Sequence, residues 1–152
     1  MEAYQLLLDH HHFDFSKGLN YKERPVTNIH NRYNFSESSV DLPTLALELD
    51  TIYSLNLSNC RYNSLEKAIT LFKDLKHLDL SINELSSLPD YLLELQSLES
   101  INLQDNYIEE FPDVLADLPD LKQINLLGNP CSEIPVSFLR KKQNCEVIIN
   151  HK

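Results

Sequence analysis

No run of about 18 or more apolar residues occurs in the 152-residue sequence, so no helix is expected to cross a membrane. The N-terminus, MEAYQLLLDHHHFDF, has acids where a secretory leader needs positive charge, and no long apolar stretch follows. Cysteine is scarce and odd in number: Cys60, Cys131 and Cys145 lack metal-site spacing, which points to a reducing, cytoplasmic compartment. Gly128, in the tripeptide GNP, stands alone in a turn and makes no phosphate-cradling loop. Cations are missing from one long stretch. Between His77 and Leu121 there is no Lys or Arg, against eleven acids: Asp79, Glu84, Asp90, Glu94, Glu99, Asp105, Glu109, Glu110, Asp113, Asp117 and Asp120. With a net charge of −10, such a field repels nucleic acid and anionic membranes and attracts a basic protein surface.

A simple period is also lacking. In LKHLDLSINELSSLP, residues 75–89, the leucines fall at intervals that fit neither an alternating strand nor one face of a helix. Superposing the chain on itself explains them. LKHLDLSINELSSLPDYLLELQS (75–97), LESINLQDNYIEEFPDVLADLPD (98–120) and LKQINLLGNPCSEIPVSFLRKKQ (121–143) are three successive 23-residue units. Each is apolar at positions 1, 4, 6, 14 and 18, with Asn at 9 and Pro at 15. Residues 52–74 form an earlier unit with Cys60 at position 9 and Glu66 in place of the proline. Val147 and Ile149 begin a last unit, and Leu42, Pro43 and Leu49 fit the second half of one before residue 52.

This pattern resembles the leucine-rich-repeat family in its 23-residue form, LxxLxLxxNxLxxLPxxLxxL, of the intracellular and bacterial type. The resemblance implies an α/β solenoid. Short parallel strands line the concave face, short helices or 3-10 segments the convex face, and neighbouring coils share one core. Positions 4 and 6 then point inward from each strand, and the residues between them point outward. Asn83, Asn106 and Asn129 are expected to turn inward and bond backbone left unpaired by the sharp turn, serving two coils at once. Pro89, Pro112 and Pro135 would fix φ where each convex segment begins. Residues 1–51 are read as a non-repeat N-terminal cap with a partial repeat, including a hairpin over 13–22 and a helix start at 36–39, the alternative being a disordered arm that orders on a partner. Residues 52–152 then form four repeats and a terminal strand.

Chemistry-bearing residues give no catalytic set. His10, His11 and His12 are adjacent and do not converge well on one ion. Cys60 and Cys131 occupy repeat positions expected in the core, and Cys145 is expected on the outward side of the last strand. The expectation is a non-catalytic binding protein without metal or cofactor, a monomer when free. Its expected partner is a protein with a basic surface rather than nucleic acid or membrane. The residues expected to meet that partner are Tyr53, His77, Asp79, Glu84, Glu99, Asn102, Asp105, Tyr107, Gln123 and Asn125. Five strands at about 4.8 Å span roughly 20 Å, so the concave face alone covers less than the roughly 800 Å² of a standard interface. A stable partner must therefore also reach the turn edge near Glu84, Tyr107, Glu109 and Glu110, or the cap. An acidic inhibitor or immunity-type protein against a basic toxin or enzyme fits these features. The alternative is an adaptor docking a phosphatase, kinase or GTPase.

Overall fold

The computed structural model describes residues 53–150. The expected N-terminal cap, with its hairpin and helix start, lies outside the described residues, as do the partial repeat before residue 52 and the three adjacent histidines.

Five three-residue strands recur every 23 residues: β1 (Ser54–Asn56), β2 (His77–Asp79), β3 (Ser100–Asn102), β4 (Gln123–Asn125) and β5 (Glu146–Ile148). They pair in parallel in chain order, each residue beside its counterpart 23 positions on, as with Leu55, Leu78, Ile101, Ile124 and Val147. Opposite the sheet, the coils close through 3-10 segments at Lys67–Leu71, Asp90–Glu94 and Asp113–Asp117, and through helix α1, Val136–Lys141. Tight 3-10 turns suit such short closures.

Proline sets up each closure after the first. Pro89, Pro112 and Pro135 stand immediately before the convex segment, with φ of −79°, −71° and −60°. Their ring imposes this φ, and the N–H they lack is not needed there. Glu66 holds the equivalent place at φ −77°, so the coil tolerates an ordinary residue that adopts the same angle.

The unusual leucine spacing follows from this geometry. Positions 4 and 6 are inward from all four full strands: Leu55, Leu57, Leu78, Leu80, Ile101, Leu103, Ile124 and Leu126 are at most 2% exposed. Leu75, Leu85, Leu92, Leu95, Leu98, Leu115 and Leu118 close on them from the rest of the coil, and Phe111 and Phe138 pack with ring centroids 4.7 Å apart. No coil encloses its own leucines. Stacking removes them from water, and each buried leucine contributes about 1.5–3 kcal/mol relative to exposure.

The asparagine column holds the turns. Asn106 Nδ2 donates to the Leu80 carbonyl of the preceding coil at 2.9 Å and to the Leu103 carbonyl of its own at 3.0 Å. Its Oδ1 accepts from the Leu85 amide at 3.0 Å. Asn83 and Asn129 repeat the pattern, and all three are at most 6% exposed. Cys60 fills the same inward place in the first coil, where its Sγ lies 3.3 Å from the Ser58 carbonyl.

One position before that column the backbone turns left-handed. Asn59, Ile82, Asp105 and Gly128 have φ of 57°, 55°, 54° and 76°. This conformation directs the amides of Asn59, Ile82 and Asp105 at the carbonyls of Ser81, Gln104 and Leu127 in the next coil. Gly128 lacks that backbone partner, and the Asn150 side chain replaces it. Asn150 Oδ1 accepts from Gly128 N–H at 3.2 Å, and its Nδ2 donates to the Asn129 carbonyl at 2.7 Å. A single amide side chain thus satisfies backbone groups of the last described turn.

Candidate interaction surface

The sheet forms an open trough. Of the ten residues expected to meet a partner, it gathers five: His77, Asp79, Asn102, Gln123 and Asn125, beside Ser54, Asn56, Ser100, Glu146 and Ile148. Many of these groups are already engaged with one another. His77 Nδ1 lies 2.8 Å from Ser100 Oγ, and Gln123 Nε2 donates to Glu146 at 3.3 Å. Asn125 Nδ2 donates to Gln104 Oε1 at 3.2 Å.

Position 5 of the repeat has a structural duty that its outward placement hides. Asn56 Oδ1 accepts from Ser58 N–H at 2.8 Å, and Asp79 Oδ1 from Ser81 N–H at 2.9 Å. Asn102 and Asn125 do the same for Gln104 and Leu127 at 3.2 and 3.1 Å. Each side chain closes a local turn over the amide two residues on, leading the chain out of the strand. Only Asn and Asp occupy the position until Ile148, a signal readable in the sequence but assigned there to partner contact. The Asp79 carboxylate also accepts the Ser81 hydroxyl at 2.6 Å, so it is less available than its sequence position suggests.

Glu99 and Tyr53 lie at the edge from which the chain enters the strands, both at position 2. Glu99 does not project as a free charge. It bridges Lys76 Nζ at 2.9 Å and Lys122 Nζ at 2.5 Å, the position-2 residues of the flanking coils. The hydrogen bonds from Lys122 and Lys76 hold its carboxyl down at about 2. Tyr53 is 36% exposed at the same edge, and its carbonyl receives the amides of Lys76 and His77. Glu94 pairs with Lys73 at 3.1 Å and Lys67 at 3.9 Å, and Asp117 pairs with Lys141. Three of the eleven acids in the cation-free stretch are therefore neutralised by cations one coil away, because 23 residues in sequence is one step across the solenoid.

The opposite edge, where the chain leaves the strands, keeps its charge. Glu84, Asp105 and Tyr107 stand here, all exposed, followed by Glu109 and Glu110. Arg61 is the one cation at positions 5–13 of the described coils. Glu84, Glu109 and Glu110 enter no salt bridge among the described residues. Asp105 accepts from Gln104 Nε2 at 3.0 Å. Its carboxylate also occupies the space above Gly128, where an added Cβ would fall 2.0 Å from Oδ1.

The exposure of Tyr107 at this edge agrees with the sequence reading, whereas a recess between two coils was not expected from it. Ile82 is 54% exposed in its left-handed conformation, and Tyr107 is 62% exposed two positions further along in the next coil. Between the second and third described coils lies a recess of about 560 Å³, with Leu88, Phe111 and Val114 in its floor and Asp90, Glu109, Glu110 and Asp113 around it. Asp90 and Asp113 share position 16, so coil stacking sets them side by side. The signal was their spacing of 23, but the recess itself depends on how the coils splay.

The thiols lack the surroundings of a nucleophile. Cys60 is buried, and burial pushes its thiol up to about 11. Cys131 is 2% exposed. Cys145 corrects the expectation of an outward thiol: it precedes β5, is half-buried, packs against the core, and has a thiol raised by that burial. Its short apolar side chain packs back on the core, where the long charged side chains of Lys76 and Lys122 at the same position reach out to solvent. Among those residues no three His, Cys, Asp or Glu side chains converge as metal ligands, and no helix is long and apolar enough to cross a membrane.

Comparison with known proteins agrees with this architecture. Residues 73–130 match the family model described as leucine-rich repeat. Comparison with curated proteins finds no match. A leucine-rich-repeat protein of Leptospira interrogans is similar at 30% identity and a TM-score of 0.54, over 63% of this chain and 25% of that one. A chain of the Drosophila Toll–Spätzle complex is similar at 26% identity and a TM-score of 0.61, over 71% of this chain and 15% of the other. An internalin of Listeria monocytogenes shares the fold at 22% identity and a TM-score of 0.55, over 72% and 30% of the two chains. The chain thus spans less than a third of the length of each.

Proposed function

The chain carries leucine-rich repeats, and from that premise we propose that it binds another protein through the trough and the edge where the chain leaves the strands, with a partner whose contact surface is basic. The observation that carries this reading is the asymmetry between the two edges. At positions 20–23 and 1–3, six acids face six cations and several are paired. At positions 5–13 of the described coils, Asp79, Glu84, Asp105, Glu109 and Glu110 stand with Arg61 as the one cation. Charge of one sign concentrated on one edge steers an oppositely charged surface toward it and disfavours other partners. The repeats occupy the described chain almost completely, which supports binding as the work of its surface.

The finer reading is an inhibitor that covers the basic working face of a toxin or enzyme. A small acidic solenoid fits that role because its charge lies on the surface that would do the covering. Capture of the partner from an extract of the source organism, with its identification, tests both levels. The expected partner is basic at its contact surface and loses activity when saturated with this protein. A basic partner that stays fully active would remove the inhibitor and favour an adaptor. A partner with an acidic contact surface would contradict the binding reading itself.

A further inference from the structure

The trough and the edge differ in how much they have left to offer. In the trough, His77 is joined to Ser100, Gln123 to Glu146, and Asn125 to Gln104, while the position-5 column is closing turns. A partner that bonds these groups has only their remaining donors and acceptors, or must break contacts that already exist. The edge presents unbonded charge and exposed apolar surface together. Ile82 and Tyr107 are more than half exposed, Glu84 lies between them in sequence, and the recess beyond has an apolar floor and carboxylate walls. Large apolar side chains rimmed by charge mark interaction sites more often than scattered surface residues do.

We infer that the edge around Ile82, Tyr107 and the Leu88–Phe111 recess docks a linear segment of the partner in which a Lys or Arg stands beside an apolar side chain. This rests on the proposed binding function and names the part of the surface that carries it. Charge complementarity selects the occupant. Asp90, Glu109, Glu110 and Asp113 surround the recess and enter no salt bridge among the described residues. A long basic side chain lays its methylenes on the Leu88 and Phe111 surface and its charged head among the carboxylates. Arg suits the site better than Lys, because its planar fork bonds two carboxylate oxygens at once. The neighbouring apolar side chain of the segment covers Ile82 and Tyr107. An acidic segment is repelled, and a purely apolar one leaves the carboxylates desolvated without a partner.

The test pans a displayed library of random peptides on the full chain and measures the enriched sequences as synthetic peptides. They are expected to carry Arg or Lys next to an aliphatic or aromatic residue. Ile82→Asn, and separately Glu109→Gln with Glu110→Gln, should each weaken binding by about tenfold or more, as loss of a central contact does. Asp74→Asn with Asp120→Asn, exposed on the entry edge, should change it by less than about twofold. Asn accepts the left-handed backbone, so Ile82→Asn keeps the turn, and its thermal melt confirms the fold. Enrichment of acidic or uncharged peptides overturns the inference, as does binding that follows the entry-edge variant and ignores the Ile82 and Glu109–Glu110 variants. Failure to enrich any peptide also overturns docking of a linear segment. It leaves the broader binding reading to the captured protein, so the two fail separately.

Discussion

Residues that look alike along the repeat carry unequal loads. Asn106 bonds two coils from a buried position, so Asn106→Leu should cost about 1–3 kcal/mol, because backbone groups lose their partners. Asn102 closes one half-buried turn, and Asn102→Ala should cost about 0.5–1.5 kcal/mol. Gln123→Ala, on the same face without a backbone duty, should stay within about 0.5 kcal/mol. Urea melts give this ranking, and equal losses for Asn106 and Gln123 would contradict the asparagine column. Ile82 should behave in the opposite way. A β-branched residue is poorly suited to φ 55°, so Ile82→Asn should raise stability by about 1 kcal/mol. The inward Asn and leucines were legible from the 23-residue period because burial follows directly from side-chain direction. The load on Asn102 was not, since an outward residue that bonds its own turn looks like one that faces solvent.

At the scale of elements, sequence distance misleads unless it is counted in coils. Lys76, Glu99 and Lys122 are 23 residues apart and in contact, so the acidic stretch is partly neutralised across the stack. The position-2 column held that signal, but a linear count of charges hides it. Because Glu99 is held below its ordinary value, its contribution to stability is present above about pH 4.5 and is lost as pH falls toward about 2. A carboxyl titration followed by NMR should find Glu99 well below the other glutamates, and Lys122→Ala should bring it back toward them. An unmoved titration would place Lys122 outside the bridge. The last coil gives a second test. Asn150→Ala removes the acceptor for Gly128 N–H, and hydrogen exchange at that amide should accelerate while Leu103, inside the stack, stays protected. Equal protection in both proteins would mean that Asn150 does not hold the last turn.

For the whole molecule, a one-dimensional stack turns a repeat position into a continuous edge, and charge placed at positions 5–13 becomes a surface. The sequence revealed the fold and the sign of the charge, because both follow from the period. It did not reveal which edge stays charged, because that depends on which lysines reach which carboxylates between coils. The most direct test of the central claim uses the identified partner and compares two equal charge removals. Glu109→Gln with Glu110→Gln discharges the edge where the chain leaves the strands; Asp74→Asn with Asp120→Asn discharges the entry edge. Association rates are measured from low salt to above physiological salt, where exposed charges are screened over roughly 8 Å or less. The account predicts that the unmodified protein associates much more slowly as salt rises, that the Glu109–Glu110 pair slows association by several-fold at low salt and flattens the salt dependence, and that the Asp74–Asp120 pair does much less. Equal effects from the two pairs, or an association rate indifferent to salt, would contradict it.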